Sequence, residues 1–443
     1  MDSSKAVCIS ISNKTLRGTV QLTGSKSESN RALIIKALSG GKVGIENLSK
    51  AADTVTLEGI LRSEAGGQTS DAGSRTSDAQ NSELQTENSK LPTPNSKLDV
   101  GPAGTAMRFL TAYCALQPGE ITLTGSERML QRPVGILVDA LRELGAKIEY
   151  AGNEGFPPLK INGPIEQKTN RIAINGNISS QYISALLLIA ARLPQGLELQ
   201  IEGELTSRPY IEMTLAMLEQ AGIKHEWEEN IVRIENQEFS PSTLFIEPDW
   251  SAASYWYAMA ALADEAEFFL PGLNGYSLQG DSRITEIMAN FGITSQFKDG
   301  GVHLKKEPKR LERKIFDFKD CPDLAQTVIV CCAALGHDAT FTGLETLKIK
   351  ETDRIKALQT ELAKIGVSLI EKNLVCKLDC SGLHFPEKVN ISTYEDHRMA
   401  MAFAPLALKI KELEIEDAGV VEKSYPHFWG DLEKVGFSID LGC

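Results

Sequence analysis

The stretch LRELGAKIEY, residues 141–150, contains a helical pattern that ends at Gly145 and an alternating, strand-like run that follows at once. Glycine just past a helix is the expected stop, because it adopts the left-handed backbone conformation at little cost. The same signature recurs in LEQAGIKHEW at Gly222, MANFGITSQF at Gly292, LAKIGVSLIE at Gly366 and LEKVGFSID at Gly436, with a weaker copy, LRSEAGG, near Gly66. A helix followed by a strand is therefore repeated along the chain.

A second signature keeps the same phase as the first. Alanine-rich helical patterns close at six leucines and lead into alternating runs: Leu38, Leu116, Leu193, Leu262, Leu335 and Leu408. Successive leucines are 78, 77, 69, 73 and 73 residues apart. Units of this length exceed the roughly 20 to 50 residues of solenoid repeats, so each unit is expected to be a subdomain. We predict an α/β protein of two similar halves with three units in each.

Length and charge limit the class of protein. A chain of 443 residues is too long for one core of about 250 to 300 residues, so two domains are expected. The formal net charge of −13 would repel nucleic acid and anionic lipid, so neither is expected as a partner. No run approaches the roughly 18 apolar residues that span a bilayer, and no basic region followed by an apolar stretch opens the chain. These features predict a cytoplasmic protein.

The eight cysteines lie mostly inside apolar segments. No paired Cys-x-x-Cys sets or nearby histidines suggest zinc, and Cys376 with Cys380 would supply only half of a tetrahedral site. We therefore expect reduced, structural cysteines and no metal site.

One segment interrupts the repeats. Between Gly66 and Asp99 the chain is rich in Ser, Thr, Asn and Gln, with near-duplicates TSDA and NSK. Such a composition buries too little apolar surface to offset its ordering entropy. A disordered surface insertion is predicted at about 67–97.

The first motif with chemical content is GSKSESNRA, residues 24–32, between the strand-like TVQLT and the helical RALIIKAL. Small residues at such a junction leave backbone N–H groups free to meet an anion, and Lys26 and Arg31 add positive charge. The alternative is an ordinary helix start capped by Ser29 or Asn30.

Three further motifs precede helical patterns. GPAGTAMRF, residues 101–109, places two glycines where backbone would approach a ligand closely. Arg132, in RMLQRPVG, would grip a carboxylate or phosphate bidentately, or else be a solvated surface arginine. In NISSQYISALLLIA, residues 177–190, three polar side chains suit a phosphate or hydroxyl ligand, although Ser179 alone would serve as a helix cap.

The densest set of charged residues lies in the C-terminal third. It comprises DCPDLAQT with Asp323, KIKETDRI at 348–355, YEDHRMAMA at 394–402 and EKSYPHF at 422–428. Exposed ion pairs, and for His397 a structural partnership with a carboxylate, are the alternatives to a functional site. No Ser-His-Asp order, metal-ligand spacing or dinucleotide fingerprint competes with these motifs. Their shared chemistry is anion binding, typical of a cleft that attracts a multiply charged small molecule.

Together the motifs resemble the EPSP synthase family of enolpyruvyl transferases. GSKSESNR, GPAGTAMR, ERMLQRPVG, SSQYISALLL, SRPYI, KETDR, YEDHRMAM and EKSYPHF occur in that family's order and approximate spacing, over nearly the whole chain apart from the insertion. The resemblance implies two similar domains, each of three βαβαββ units around a pseudo-threefold axis, an inside-out α/β barrel with the active site in the interdomain cleft. It places the first domain at 1–22 plus 247–443 and the second at 23–246.

The resemblance also implies an activity: transfer of the enolpyruvyl group of phosphoenolpyruvate to the 5-hydroxyl of shikimate 3-phosphate by addition and elimination. The products would be 5-enolpyruvylshikimate 3-phosphate and phosphate, in the pathway to chorismate and the aromatic amino acids. It implies small-molecule substrates, no cofactor and a monomer.

Site residues carry over position by position. The resemblance gives Asp323 as the base, Glu351 as the acid and Lys26 as a third catalytic residue. The implied contacts to shikimate 3-phosphate are Lys26, Ser27, Arg31, Ser179, Ser180, Gln181, Ser207, Tyr210, Asp323, Thr346 and Lys350. The implied contacts to phosphoenolpyruvate are Lys26, Gly104, Arg132, Gln181, Arg354, Arg398 and Lys423.

The sequence departs from the family pattern at Pro102, Phe109 and Thr346, where the family often has Asn, Pro and Asn. Thr346 would donate one hydrogen bond to the shikimate phosphate where Asn donates two. Two other functions are weighed: an enolpyruvyl transferase acting on a nucleotide sugar, and a non-catalytic anion-binding protein. The first carries a reactive cysteine in a glycine-rich loop, whereas Cys114 here lies in an apolar helical pattern.

Overall fold

The computed structural model describes residues 5–63, 96–177 and 179–442. In these ranges the α-helices are α1 Lys26–Leu38, α2 Ala52–Ser63, α3 Gly104–Ala115, α4 Gly135–Leu144, α5 Ser180–Ala190, α6 Arg208–Gln220, α7 Trp250–Leu262, α8 Ile284–Ala289, α9 Ala325–Ala334, α10 Arg354–Ala363, α11 His397–Phe403 and α12 Phe428–Lys434.

The strands alternate with these helices. They are β1 Val7–Ser10, β2 Thr15–Thr19, β3 Val43–Glu46, β4 Ser96–Asp99, β5 Gly119–Thr124, β6 Lys147–Tyr150, β7 Leu159–Gly163, β8 Arg171–Asn175, β9 Leu197–Glu202, β10 Glu226–Glu228, β11 Ile231–Ile234, β12 Ser242–Phe245, β13 Glu265–Pro271, β14 Ile293–Lys298, β15 Gly301–Lys306, β16 Ile315–Asp317, β17 Thr340–Thr342, β18 Ser368–Lys372, β19 Val375–Asp379, β20 Lys388–Ile391, β21 Glu412–Ile415 and β22 Ser438–Leu441.

Five four-stranded sheets share one topology. In the sheet β4-β5-β7-β6, the first pair is parallel and the next two pairs are antiparallel. The sheets β8-β9-β11-β10, β2-β13-β15-β14, β16-β17-β19-β18 and β20-β21-β1-β22 repeat this pattern. The sixth pairs β3 with β12 in parallel, two strands among the described residues. The predicted βαβαββ units are therefore confirmed.

The register of each sheet follows from alternating burial. In β5 the buried Ile121 lies opposite Ile161 of β7, and Leu123 lies opposite Leu159. Because successive side chains of a strand point to opposite faces, one face of the sheet packs inward and the other remains polar.

The repeated glycines end helices as predicted. Gly145, Gly222, Gly292, Gly366 and Gly436 have φ of 112°, 88°, 83°, 74° and 105°. At Gly145 a Cβ atom would also lie 2.1 Å from the carbonyl oxygen of Glu166, so the following loop packs against this helix end. The weaker copy near Gly66 lies outside the described residues.

Apolar side chains form two separate cores. One is built from residues between Val7 and Leu22 and between Trp250 and Phe437, and the other from residues between Ala32 and Ile246. The chain passes between them twice, and the two passages lie side by side. Gly24 pairs with Pro248 in an isolated bridge, and the N–H of Ser25 donates to the carbonyl of Glu247 at 2.8 Å.

Two sequence expectations are corrected. Ser96 and Lys97, placed at the end of the insertion, begin β4, because they pair in parallel with Ile121 and Thr122 of β5; the rest of that predicted insertion lies outside the described residues. Cys8, expected to be reduced, is disulfide-bonded, in a strand that pairs with the last strand of the chain. Cys114, Cys321, Cys331, Cys332, Cys376 and Cys380 are buried and form no disulfide bond.

None of the helices in the described ranges is long and apolar enough to cross a membrane.

Candidate active site

A cleft between the two cores contains the predicted residues. Of the seventeen positions, sixteen line it: Lys26, Ser27, Arg31, Gly104, Arg132, Ser179, Ser180, Gln181, Ser207, Tyr210, Asp323, Thr346, Lys350, Glu351, Arg354 and Arg398. The remaining position, Lys423, does not line the pocket. Its Nζ lies 3.1 Å from Oε1 of Glu351, which does line it. Residues far apart in sequence therefore meet in one pocket.

The motif at residues 24–32 forms the first turn of α1. The N-cap is Ser25, whose side chain accepts from the N–H of Glu28, so the alternative of a helix capped by Ser29 or Asn30 is wrong. The N–H of Lys26 also donates to Oδ2 of Asp249 at 3.1 Å, across the chain crossing. Lys26 also pairs with Asp53, Nζ to Oδ2 at 3.2 Å. Lys26 and Ser27 thus lie at a helix N-terminus, where an anion is favoured.

Arg31 is buried and held by other residues of the same core. Its Nε donates to Oγ1 of Thr214 at 2.7 Å, and its Nη2 donates to Oγ of Ser184 at 3.0 Å and to the carbonyl of Tyr210 at 3.1 Å. Burial lowers the pKa of Arg31 to about 10, so it remains a cation at neutral pH.

Arg132 lies against the start of α3. It is 6% exposed, which excludes the solvated surface arginine considered above. A Cβ on Gly104 would approach its Nη1 within 2.5 Å. Its Nε has no hydrogen-bond partner among the described residues, so the guanidinium keeps unused donor capacity beside the pocket.

Polar groups of α5 and α6 form the adjoining wall. Ser179 caps α5 and accepts from the N–H of Gln181, as one reading of the sequence predicted. The Nε2 of Gln181 donates to Oγ1 of Thr105 at 3.1 Å. Ser207, at the start of α6, has φ of 56°, a left-handed conformation that is uncommon for residues other than glycine. Such strain tends to occur at functional sites.

Asp323 is surrounded by cations. Its carboxylate lies 3.0 Å from Nη1 of Arg354, 3.0 Å from Nη2 of Arg398 and 3.7 Å from Nζ of Lys350. Burial raises the pKa of Asp323, but Arg398, Lys350 and Arg354 together outweigh burial and hold that pKa well below its ordinary value. The hydroxyl of Tyr210 donates to Oδ2 at 3.3 Å. Asp323 is therefore an ionised carboxylate with proton-accepting capacity.

Glu351 is the second carboxylate of the pocket. Its oxygens lie 2.9 Å from Nη2 of Arg354 and 3.1 Å from Nζ of Lys423. Burial raises the pKa of Glu351, and Lys423, Arg354 and then Arg132 lower it further than burial raises it. Glu351 is thus ionised in the structure.

Arg354 joins the two carboxylates. It is 1% exposed, and besides Asp323 and Glu351 it pairs through Nε with Oδ2 of Asp396 at 2.7 Å. Asp396 caps α11 and accepts from the N–H of Arg398 at 2.8 Å. Because each charge is paired, this cluster is stable where an isolated buried charge would be costly.

His397 lies beside this cluster and also lines the pocket. Its Nδ1 is 3.6 Å from Oδ1 of Asp396, and neither ring nitrogen has a hydrogen-bond partner among the described residues. Burial lowers the pKa of His397 well below its ordinary range, with Lys26 and Arg398 adding to the effect. A neutral imidazole at this position has free donor and acceptor capacity.

Hydrogen bonds join the two cores around the pocket. The Nε of Arg128 donates to the carbonyl of Glu351 at 2.9 Å, and the N–H of Ser207 donates to the carbonyl of Lys319 at 3.0 Å. With the bond between Tyr210 and Asp323, these contacts hold the two walls together.

Sequence reasoning missed several lining residues. Thr105 and Arg108 belong to the quoted GPAGTAMRF motif and were recoverable from it. Asp249 was recoverable as a cap before an apolar helix, since it accepts from the N–H of Ala252 at 2.9 Å. Pro133, Tyr182, Ile349 and Ser424 likewise lie inside quoted motifs, whereas Asp53 and Ser251 lie outside all of them and carried no local signal. In the part of the chain that the structure describes, no group of His, Cys, Asp or Glu could hold a metal ion.

Comparison with known proteins decides the family. The pattern of the family described as EPSP synthase (3-phosphoshikimate 1-carboxyvinyltransferase) matches residues 11–432. The chain belongs to the EPSP synthase family. A 3-phosphoshikimate 1-carboxyvinyltransferase of Bacteroides fragilis (strain YCH46) is 46% identical over 429 residues, covering 96% of this chain and 97% of that protein. One from Xenorhabdus nematophila is 34% identical over 427 residues, covering 95% and 96%.

Solved structures agree on the fold. An EPSP synthase from Acinetobacter baumannii has a TM-score of 0.74 at 20% identity, covering 99% of this chain and 100% of that chain. An enolpyruvyl transferase from Streptomyces tendae has a TM-score of 0.73 at 15% identity, covering 99% of each. At these identities the likeness shows the fold alone, the two-domain inside-out α/β architecture.

Proposed function

We propose that this member of the EPSP synthase family transfers the enolpyruvyl group of phosphoenolpyruvate to the 5-hydroxyl of shikimate 3-phosphate. The hydroxyl oxygen attacks the carbon that carries phosphate while the methylene carbon gains a proton. The methyl group of the adduct then loses a proton as phosphate leaves, which restores the double bond. The products are 5-enolpyruvylshikimate 3-phosphate and phosphate, on the route to chorismate and the aromatic amino acids.

One observation carries the proposal: two partly buried carboxylates, Asp323 and Glu351, share Arg354 in a pocket whose lining also holds several lysines and arginines. Addition and elimination need one group to accept a proton and another to deliver one, each worth typically about 10² to 10⁴-fold in rate. The cations offset the repulsion between two anionic substrates and stabilise the developing phosphate charge.

We assign proton acceptance from the 5-hydroxyl to Asp323. Its pKa is held well below the ordinary value by Arg398, Lys350 and Arg354 against the opposing effect of burial, so it is ionised at any pH near neutrality. A base this weak takes the proton as the new carbon–oxygen bond forms and the hydroxyl becomes acidic.

We assign proton delivery to Glu351. In the absence of substrate it is ionised, because Lys423, Arg354 and Arg132 outweigh burial. Phosphoenolpyruvate bound between these cations would compensate their charge and raise the pKa of Glu351, so that it carries a proton when substrate is in place. We propose that Lys26, at the start of α1, is a third catalytic residue and contacts both substrates.

The remaining residues bind substrate. We propose that Ser27, Arg31, Ser179, Ser180, Gln181, Ser207, Tyr210, Thr346 and Lys350 contact shikimate 3-phosphate together with Lys26 and Asp323. We propose that Gly104, Arg132, Gln181, Arg354, Arg398 and Lys423 contact phosphoenolpyruvate together with Lys26. The unused donor at Nε of Arg132 and the unpartnered hydroxyl of Thr346 support the two assignments.

Phosphate release tests the function. Wild type is assayed with phosphoenolpyruvate and either shikimate 3-phosphate or UDP-N-acetylglucosamine, beside Asp323→Ala and the control Asp320→Ala, which removes a half-exposed ion pair with Arg283 at 3.6 Å. Release only with shikimate 3-phosphate, lost in Asp323→Ala and kept in the control, supports the proposal. Release only with the nucleotide sugar overturns the substrate, and release with neither favours the binding protein.

We also propose that the two cores correspond to domains at 1–22 plus 247–443 and 23–246. The adjacent chain passages at Gly24 and Pro248 support this division. Closure of the cleft on substrate would reduce the radius of gyration measured by small-angle scattering, whereas an unchanged value would contradict it.

Finally, we propose a monomer in the cytoplasm. One chain supplies both walls of the pocket, which supports the monomer. Six buried cysteines that form no disulfide bond suit a reducing compartment. The disulfide bond of Cys8, in contrast, is typical of an oxidising compartment. The number of free thiols, counted in protein that is rapidly alkylated inside its host cells, decides between a reducing and an oxidising compartment. Sedimentation in the presence of both substrates measures the mass and so tests the monomer.

A further inference from the structure

A buried carboxyl group lies directly behind the pocket wall and has no part in the proposed chemistry. Asp281 belongs to the 3-10 turn Gly280–Arg283 and is 3% exposed. Its Oδ2 accepts a hydrogen bond from the hydroxyl of Ser251, and its Oδ1 has no hydrogen-bond partner among the described residues.

Ser251 connects this carboxyl group to the pocket. It is the second residue of α7, and it lines the pocket. Its Oγ accepts from Nη2 of Arg398 at 3.3 Å. A serine hydroxyl has one hydrogen to donate and two lone pairs. Because the hydrogen is given to Asp281, a lone pair is available to Arg398, and Ser251 is fixed as an acceptor on the pocket side.

The guanidinium of Arg398 lies between Ser251 on one side and Asp323 on the other. The same Nη2 lies 3.0 Å from Oδ2 of Asp323, while Nη1 donates to the hydroxyl of Tyr255 at 3.3 Å and to the carbonyl of Asp323 at 3.4 Å. If Ser251 ceased to accept, Arg398 would be drawn wholly toward Asp323. Its orientation toward a bound carboxylate therefore depends on Ser251.

The turn that carries Asp281 is locked in place. A Cβ on Gly280 would lie 2.8 Å from Cβ of Pro209 and 2.9 Å from the carbonyl oxygen of Asp320. The preceding residue, Gln279, accepts from the N–H of Trp250 at 2.9 Å. Side chains before and after Gly280 thus both bind the start of α7, and Asp281 has no route to solvent.

We propose that Asp281 is a positioning residue that acts through Ser251 to orient Arg398 for phosphoenolpyruvate. The inference rests on the proposed function, which makes Arg398 a phosphoenolpyruvate contact. Asp281 occupies a site where its charge is costly. Its pKa is raised to about 7, chiefly by burial and then by the nearby charges of Asp323 and Asp249. Arg398 and the hydrogen bond from Ser251 oppose this rise. A carboxyl group retained at such a cost, one hydrogen bond from the pocket wall, is expected to serve the site.

A double-mutant cycle tests the route of action. Wild type, Asp281→Ala, Ser251→Ala and the double variant are compared for KM of both substrates. The dissociation constant of phosphoenolpyruvate is measured calorimetrically for the same changes, with shikimate 3-phosphate bound, in an inactive Glu351→Gln background that keeps the contact of Arg398 with Asp323. We expect each single change to weaken phosphoenolpyruvate about tenfold, the scale of a hydrogen bond to a charged group. KM for shikimate 3-phosphate should change less than about twofold.

The double variant decides the mechanism. If Asp281 acts through Ser251, the double variant binds no more weakly than Ser251→Ala, because the second change has nothing left to act on. Multiplicative losses, or equal weakening of both substrates, would overturn the inference. Asp320→Asn, a change of the same type at a residue that touches this turn but not the pocket, serves as the control and should leave both constants unchanged.

Two further results keep the outcomes distinct. Should Asp281→Ala not fold, Asp281→Leu replaces it, because leucine keeps a similar volume and removes both acceptor oxygens. Asp281→Asn is the rescue: its amide oxygen still accepts from Ser251, so it should keep phosphoenolpyruvate binding within about threefold of wild type. Wild type without turnover on shikimate 3-phosphate overturns the proposed function. Turnover in wild type together with unchanged phosphoenolpyruvate binding in the variant that removes the acceptors of Asp281 overturns only the role of Asp281.

Discussion

The guanidinium of Arg132 packs directly on the α-carbon of Gly104. A Cβ at Gly104 would lie 2.5 Å from Nη1, 2.7 Å from Nη2 and 2.8 Å from Cζ of Arg132. All three separations are shorter than carbon and nitrogen atoms tolerate without bonding, so the arginine occupies its position only because residue 104 has no side chain. The glycine and the arginine therefore form one structural unit of the proposed phosphoenolpyruvate subsite.

Gly104→Ala is expected to displace Arg132. KM for phosphoenolpyruvate should rise about tenfold or more, since a charge-assisted pair to a bound anion is lost, while KM for shikimate 3-phosphate changes little. Steady-state kinetics with each substrate varied in turn measures this.

The matched control is Gly59→Ala. Gly59 lies inside α2, where nothing stands within 4 Å of an added Cβ. This change should leave both KM values unaltered and stabilise the helix by about 1 kcal/mol. Unchanged phosphoenolpyruvate kinetics in Gly104→Ala would contradict the role of the contact.

Thr346→Val tests the departure from the family pattern. The Oγ1 atom of Thr346 is buried, lines the pocket and has no hydrogen-bond partner among the described residues. Valine keeps the shape and removes only the hydroxyl, so we expect unchanged thermal stability and a rise of about 5 to 10-fold in KM for shikimate 3-phosphate. The control Thr360→Val removes an exposed hydroxyl that bonds within its own helix at 3.0 Å. Equal KM for shikimate 3-phosphate in wild type and Thr346→Val would remove Thr346 from the site.

The sequence predicted the fold where local chemistry decides it. Helix-ending positions such as Gly145 and Gly222 have a positive φ that favours glycine, so the spacing of these glycines revealed the repeated units. It failed at the start of α1 although Ser25, followed three residues later by Glu28, offers a local capping signal. The further bond from the N–H of Lys26 to Asp249, 223 positions away, has no local signal.

The residues of the site likewise divide into those with a local sequence signal and those that depend on tertiary packing. Motifs of distinctive composition, such as the KETDR that contains Arg354, were recognisable in the sequence. The structure brings these motifs together, and the roles of their residues stay predictions. Asp281 and Ser251 were not found because their link depends on the packing of Gly280 against Pro209, from the other core. Cys8 was misjudged because pairing of β1 with β22 depends on tertiary structure.

Glu351→Gln should abolish proton delivery without weakening phosphoenolpyruvate. Removing a negative charge beside Lys423 and Arg354 leaves the pocket more positive, so KM for phosphoenolpyruvate should not rise. The turnover number should fall about 10² to 10⁴-fold. Exchange of the methylene hydrogens of phosphoenolpyruvate in heavy water, followed by NMR, should be lost together with turnover.

Glu345→Gln is the matched control, an exposed residue of the same 3-10 turn as Thr346. It should retain both turnover and exchange. Exchange that persists in Glu351→Gln at the wild-type rate would assign the proton to another group.

Glu28→Gln should stabilise the protein, and only at higher pH. Burial, partly opposed by the N–H of Glu247, raises the pKa of Glu28 from the ordinary 4.5 to about 8. Between these values the folded state binds more protons than the unfolded state, so the stability contributed by Glu28 is complete below about pH 4.5 and falls as the pH rises towards 8. Glutamine has no proton to lose and still accepts from the N–H of Glu247, which donates at 3.0 Å in wild type.

The free energy of unfolding, measured by urea denaturation from pH 5 to 9, should therefore differ by less than about 1 kcal/mol between the two proteins near pH 5. It should favour Glu28→Gln by on the order of 3 kcal/mol above pH 8. The exposed Glu226 provides the comparison, since Glu226→Gln should leave the pH dependence of wild type intact. A constant difference across the whole range would mean that packing, and not the charge of Glu28, separates the variants.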